Sequence, residues 1–481
     1  MKILKHLFIT IAFTLILLGL NTRVYAVNTI PTAEQKSAAE ERKFLPVESN
    51  SWSGWPEGPV LGAEGAILMD FNTGAILYSK NIHEQLYPAS TTKMMTALLT
   101  IENTTMDEVV TFSHEAIFNV DSDSSRIGID EGEQLTVEEC LYGLMLGSAN
   151  EVAYALAEHV AGSLDAFVDM MNDRAVALGC NNTHFINANG LPDEDHYTSP
   201  YDLALIAREC YKNEAFANIS GTRTYTIGAT NIQSEERIMD NHHLMVEGFR
   251  YQYDGFIGGK TGYTKAARQT LVSCAERNGI RLICVIMKEE SPDQFLDTQK
   301  LFDYGFDSFK LVNVKENETR YTLDSSTFFK TDLDIMGSSS QALVLNSEGS
   351  IIIPKGADFK DADVELTYSD GSEGYVASLN YYYSGNYVGY TTLDYAQNSD
   401  KIFEFANILD AASDQTEPKI LERNRRTVFV NIKRVIIVMA SLLALILFII
   451  FVRSFIASYS ISGYRSKLLK RKRYKKRKKN L

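Results

Sequence analysis

Apolar runs of period two open and close the first three hundred residues, with a long stretch of helical period between them. Ala66-Ile67-Leu68-Met69 and Ala75-Ile76-Leu77-Tyr78 flank Asn72-Thr73-Gly74, which predicts a β-hairpin. From about Thr91 to Asn213 the pattern is mostly helical. One helix is expected to start at Ser199, where Ser199-Pro200-Tyr201-Asp202 supplies an N-cap, a proline in the first turn and a capping acid. Thr270-Leu271-Val272-Ser273 and Arg281-Leu282-Ile283-Cys284-Val285-Ile286 then bracket Asn278-Gly279, a strong hairpin signal. Strands around a helical middle predict an α+β domain over 61–308, its antiparallel sheet drawn from both ends of the segment.

The remainder divides by texture. Short alternating runs such as Ala342-Leu343-Val344-Leu345 and Ile351-Ile352-Ile353 predict a small all-β domain over 309–410. There, Ser384-Gly385-Asn386 separates Tyr381-Tyr382-Tyr383 from Tyr387-Val388-Gly389-Tyr390. Residues 27–60, polar and small with Pro46, Pro56 and Pro59 and no apolar period, read as a linker. Residues 411–434 read as a charged juxtamembrane stalk.

Both termini carry membrane signals. Lys2 and Lys5 precede an apolar run from Leu7 to Leu20, and Val24-Tyr25-Ala26 offers a cleavage site, so 1–26 reads as a secretory signal peptide. An uncleaved anchor is the alternative. Val435 to Val452 is uncharged and, at about 1.5 Å per residue, spans roughly 27 Å, enough for a transmembrane helix over 435–452. The basic tail 453–481, with Arg471, Lys472 and Arg473 at its centre, marks the cytoplasmic side. The expected location is therefore the cell membrane, single-pass, with the body outside and the tail cytoplasmic.

Length and composition narrow the class. At 481 residues the chain exceeds one compact core, while 45% hydrophobic and 22% charged residues exclude a disordered or collagenous polymer. All 61 acidic residues lie in 27–434 against 32 of the 47 basic ones, a net charge of −29 on that stretch. Such a body repels nucleic acid, and the basic tail alone does not argue for a nucleic-acid partner. Cys140, Cys180, Cys210, Cys274 and Cys284 form no C-x-x-C pair, so neither a zinc ribbon nor a dithiol site is indicated; buried free thiols are expected, with one disulfide as the alternative in an exported protein. No H-E-x-x-H is present, and neither metal nor cofactor is indicated.

Three short motifs carry candidate chemistry. Ser90-Thr91-Thr92-Lys93 stands where the first hairpin leads into a helix, placing hydroxyl and amine one turn apart on one face. A lysine serves as base only when its amine is neutral, which needs burial or a neighbouring cation. Ser148-Ala149-Asn150 falls between two helical runs and can aim a hydroxyl and a carboxamide into one cleft; an ordinary helix cap is the plainer reading. Lys260-Thr261-Gly262 closes a glycine-rich run, but a phosphate loop would need glycine at Asp254 and a helix afterwards. An edge strand suits the triplet better, with Gly262 leaving room for a substrate backbone. Each motif alone is weak.

Together and in this order they resemble the penicillin-recognising serine enzymes. Gly143-Leu144-Met145-Leu146-Gly147 before Ser148, Asn189-Gly190-Leu191 and His196-Tyr197-Thr198 are similar to the low-molecular-weight penicillin-binding proteins, the serine D-alanyl-D-alanine carboxypeptidases. The resemblance covers 61–308 and implies a β-lactamase-like α+β domain. It implies that Ser90 attacks the carbonyl between two terminal D-alanines of a peptidoglycan stem peptide, with β-lactam antibiotics as inhibitors. Lys93 would take the proton, Ser148 would relay one to the leaving amine, and Asn150 would hold the substrate amide. Lys260 and Thr261 would bind the terminal carboxylate beside Gly262, and the N–H groups of Ser90 and Tyr263 would form the oxyanion hole. Arg268 departs from the family, which often has glycine there, and a true span at the C-terminus replaces the commoner surface helix. Two alternatives stay open: a class A-like β-lactamase, whose Glu-x-x-Leu-Asn is absent between Asn150 and Lys260, and a penicillin-sensing or wall-binding module without turnover.

Overall fold

The computed structural model describes residues 31–120, 124–320, 343–369 and 374–395. Among the described residues the first element is helix α1 (Ala33–Arg42), followed by the hairpin β1 (Gly65–Asp70) and β2 (Ile76–Lys80). The hairpin turn is set by Asp70, whose Oδ2 accepts from the N–H (2.8 Å) and hydroxyl (2.7 Å) of Thr73. The helical middle contains α2 (Lys93–Asn103), a small β3 (Val109–Thr111), α3 (His114–Phe118) and β4 (Gln134–Thr136). It continues through α4 (Val137–Met145), α5 (Asn150–Ala161), α6 (Leu164–Ala177), α7 (Pro200–Cys210) and α8 (Glu214–Gly221). Helix α7 begins as the sequence requires, with the Ser199 hydroxyl accepting from Asp202 N and Pro200 in the first turn.

After the hairpin β5 (Thr224–Ile227) and β6 (Arg237–Asp240) come the long strands β7 (Phe256–Thr264), β8 (Arg268–Arg277) and β9 (Ile280–Glu289), then α9 (Asp293–Ser308). The main sheet has the order β2-β1-β9-β8-β7, all antiparallel, so β7 is an edge and the first hairpin joins the late strands through β1 and β9. Asn278 and Gly279, both at positive φ, make the β8–β9 turn.

This sheet is buried on both faces, which is why its strands read as continuous apolar runs. Ile67 and Met69, Val272 and Cys274, and Ile283, Val285 and Met287 point into the core shared with the helical middle. The alternate residues, among them Leu68, Leu271, Leu282 and Ile286, point to the opposite core with α9. That second core is completed by a further sheet of β10 (Phe309–Asn313), β11 (Leu343–Leu345), β12 (Ser350–Pro354), β13 (Asp363–Tyr368), β14 (Ala377–Tyr383) and β15 (Asn386–Tyr395). Ile351, Ile353, Leu379 and Tyr381 lie in the same apolar cluster as Leu68 and Phe302, so the two sheets share a core. All five cysteines are buried free thiols.

Residues 31–60 depart from the linker reading. Thr32 and Gln35 form a reciprocal capping box at the start of α1, Arg42 is buried, and Trp55 is 8% exposed with its indole N–H donating to Leu77 O at 2.8 Å. Isolated anchors of this kind leave no apolar period to read. Among the described residues no helix is long and apolar enough to cross a membrane. The signal-peptide stretch 1–26, the end of the 309–410 segment, the stalk, Val435–Val452 and the basic tail lie outside the described residues.

Candidate active site

The chain enters α2 through a 3₁₀ turn, Ala89–Thr92, that runs directly into Lys93. Ala89 takes positive φ (50°), a strained step that sets Ser90 at the helix mouth. Lys93 is fully buried, and its Nζ donates to Asn150 Oδ1 and to Asn189 O, both at 2.6 Å, while lying 3.1 Å from Ser90 Oγ. The donor count is informative. Three oxygen partners match the three N–H donors of an ammonium; once the amine is neutral, two N–H groups stay on Asn150 and Asn189 and the lone pair is left to take the Ser90 proton. The electrostatics agree: burial first, and the charge of Lys260 second, hold the Lys93 amine well below the usual lysine range, with Glu151 opposing.

Ser148 bridges α4 and α5 at positive φ (55°), turning its hydroxyl toward β7. Lys260 Nζ donates to Ser148 Oγ at 3.0 Å and to Thr261 O at 3.1 Å. Burial lowers the Lys260 ammonium to about 7. Asn150 opens α5 and is fixed by its N–H to Ser125 O at 2.9 Å. Beside it, the buried Glu151 accepts from the N–H of Ile127 (2.7 Å) and Gly128 (3.2 Å), tying that loop to the Ser-Ala-Asn turn.

Strand β7 brings the third motif alongside. A side-chain carbon on Gly262 would stand 2.8 Å from Thr270 Oγ1 and 3.0 Å from both Pro88 O and Ser90 N, so glycine at 262 lets the edge strand lie this close to the nucleophile turn. Thr270 Oγ1 donates to Pro88 O at 3.0 Å and clamps the same contact. The structure therefore gathers Ser90, Lys93 and Asn150 into one hydrogen-bonded group, and Ser148, Lys260 and Thr261 into a second beside it. The side chain of Tyr263 is instead met by Arg268.

The motif reading missed several participants. The Asn189 carbonyl holds Lys93 through a backbone atom, which no side-chain motif encodes. The Asn189-Gly190-Leu191 loop is knit by Asn187, whose Oδ1 accepts from Gly190 N at 2.7 Å. His196 Nδ1 accepts from Ile186 N at 3.1 Å, so Nε2 carries the proton donated to Thr92 Oγ1 at 2.9 Å. Both stretches were visible in the sequence only as family signatures. Among the described residues no group of three or more His, Cys, Asp or Glu side chains is placed to hold a metal ion.

A serine hydroxyl against a buried amine whose charge burial and a second lysine disfavour, that lysine standing on an adjoining edge strand, is the apparatus of an acyl-transferring serine enzyme. Residues 55–291 match the D-alanyl-D-alanine carboxypeptidase family of serine peptidases. The chain is 32% identical over 316 residues to D-alanyl-D-alanine carboxypeptidase DacF of Bacillus subtilis, covering 64% of this chain and 77% of that one. A D-alanyl-D-alanine carboxypeptidase of Streptomyces strain K15 is 33% identical, with 52% of this chain and 88% of that one covered. The Mycobacterium tuberculosis relative DacB2 is 32% identical, with 52% and 84% covered. The chain belongs to this carboxypeptidase family.

Proposed function

We propose that the chain removes the terminal D-alanine from peptidoglycan stem pentapeptides through an acyl-enzyme on Ser90. The Ser90 hydroxyl gives its proton to the Lys93 lone pair and attacks the carbonyl between the two D-alanines. The N–H groups of Ser90 and Tyr263 receive the developing oxyanion, a contribution of about 3 kcal/mol per donor. Ser148 relays the proton held by Lys93 to the departing D-alanine amine as the C–N bond breaks, which returns both groups to their starting states. Lys260 and Thr261 hold the terminal carboxylate, and Asn150, whose Oδ1 is engaged by Lys93, offers its N–H₂ to the substrate backbone. Water then cleaves the ester, releasing the tetrapeptide and restoring Ser90. Penicillins acylate the same hydroxyl.

The observation that carries this reading is the fully buried Lys93 amine 3.1 Å from Ser90 Oγ, its other two contacts, Asn150 Oδ1 and Asn189 O, being acceptors that leave Ser90 as its partner for proton exchange. Intact-mass spectrometry after benzylpenicillin should show one drug mass on residue 90, and D-alanine release from a pentapeptide should vanish in Ser90→Ala. An unmodified spectrum from folded protein would overturn the reading. Rapid penicillin turnover would point to a β-lactamase, and a stable adduct without D-alanine release to a sensor.

The 1–26 leader, the Val435–Val452 span and the basic tail support export with retention in the cell membrane, tail inward. A chain truncated before Val435 should leave the membrane fraction; retention there would remove the anchor reading.

A further inference from the structure

Behind the β7–β8 turn lies a group of charged side chains almost closed to solvent. Glu290, 3% exposed, is held between two guanidinium groups. Arg268 reaches it through Nε at 3.0 Å to Oε1 and through a second, shorter contact to Oε2. Arg42, at the end of α1, approaches from the other side at 3.5 Å and anchors itself by Nε to Gly62 O at 2.8 Å. Lys80, fully buried, donates to the carbonyls of the same segment, Arg42 O (2.9 Å) and Leu61 O (2.7 Å). Burying this many charges is a poor route to stability, because desolvation offsets much of the attraction. What such a group does well is fix geometry.

The geometry it fixes is that of β7. Arg268 pairs with Thr264 across the turn at positive φ (57°), a backbone state that suits glycine and that arginine occupies at a cost. Its guanidinium carbon lies 5.6 Å from the centre of the Tyr263 ring, with a nitrogen 3.5 Å from the hydroxyl. β7 is an edge, hydrogen-bonded to a strand on one side only. Its distal end is therefore held by the turn, and the turn by Arg268 on Glu290 on Arg42.

We propose that Arg268 is a positioning residue for acylation, held in place through Glu290 by Arg42, so that the segment before the first hairpin sets the placement of the Tyr263 N–H. This rests on the reading of Tyr263 as an oxyanion donor given above. Arg268 touches no reacting atom; it acts through the strand. A planar fork binding two carboxylate oxygens also makes lysine a poor replacement.

The test uses the full-length protein in detergent and stopped-flow acylation by a fluorescent penicillin, which separates the binding constant from the acylation rate. Arg268→Gly suits the observed φ and removes only the side chain. At a temperature where the variant, destabilised because Glu290 is left with Arg42 alone, is still fully folded, it should acylate about tenfold more slowly with the binding constant moved by less than about twofold. Arg268→Lys should recover part of the loss. Arg42→Ala should slow acylation in the same direction, and Arg42→Ala with Arg268→Gly should be no slower than Arg268→Gly alone. An Arg268→Gly enzyme acylating at the wild-type rate would overturn the proposal, as would a fall in binding alone. Losses that multiply in the double variant would sever Arg42 from the chain of contacts. A wild-type protein that takes no penicillin would instead refute the Ser90 reading itself, a distinct failure.

Discussion

Gly190 lies across the backbone that carries the nucleophile: a side-chain carbon on it would stand 1.9 Å from the Ala89 carbonyl oxygen and 3.0 Å from Ser90 N. Its φ of 87° is also one that side chains resist. Neither contact is with a flexible side-chain end, so the clash must move the Asn187–Leu191 loop or the Ala89–Thr92 turn. Moving the loop takes the Asn189 carbonyl off Lys93; moving the turn takes Ser90 off it. Gly190→Ala should therefore lower acylation by roughly a hundredfold or more, since small displacements of reacting groups are costly. Acylation at the wild-type rate would show that this contact does not position Ser90.

The two active-site lysines predict opposite limbs of the pH profile. Lys93 must be neutral to accept a proton, and Lys260 must be charged to hold a carboxylate. Removing the charge in Lys260→Ala relieves the repulsion on Lys93, raises its pKa and moves the acid limb of penicillin acylation to higher pH. An unmoved acid limb would refute the coupling. On the alkaline side, burial places Lys260 at about 7 in the free enzyme, so kcat/KM for D-alanyl-D-alanine peptides should fall as pH rises through that value. A substrate amidated at its C-terminus should lack that limb.

How far this was legible in the sequence follows from which atoms do the work. Ser90, Lys93, Ser148, Asn150 and Lys260 act through side chains at fixed local spacing, and the structure brings all five together. The two hairpins and the Ser199 cap were legible because turn chemistry is local. Asn189 contributes a carbonyl, and Gly190 contributes the absence of a side chain. Arg268 and Glu290 are 22 residues apart and meet only through the sheet. Helix α1 buries Ala39 and Arg42 alone, so no apolar stripe announced it.

Trp55 is the residue that ties this unannounced segment to the body. Its ring centroid stands 5.3 Å from that of Phe309 and 5.2 Å from that of Trp52, and its N–H is held by Leu77 O. It thus joins residues 31–60, β2 and the first strand of the second sheet. Trp55→Ala should cost about 3–5 kcal/mol of unfolding free energy, the range for large aromatic truncations in a packed core. Were the segment a loose linker, urea denaturation would show a loss below about 0.5 kcal/mol, as at an exposed surface site.

Two buried histidines predict how the fold responds to acid. His196 supports Thr92 beneath the nucleophile turn. His243 lies under Gly259 of β7 with Nε2 2.9 Å from Ser273 Oγ. In each, Nδ1 accepts a backbone N–H, from Ile186 and from Met245, so a second ring proton would face another proton. Burial lowers His196 to about 4 and His243 to about 3. Both folded values lie below the unfolded one near 6.5, so the stability they contribute is complete above pH 6.5 and is lost as pH falls toward 4. In that window each histidine should steepen the loss by about 1.4 kcal/mol per pH unit. Glu289, raised by burial and by Asp297, works in the opposite sense, so the informative quantity is the difference between proteins. His243→Asn should unfold in urea with a pH dependence between 6.5 and 5 that is shallower than wild type by about that slope, whatever its stability at pH 7. Parallel curves for the two proteins would mean that His243 already carries a proton in the folded state.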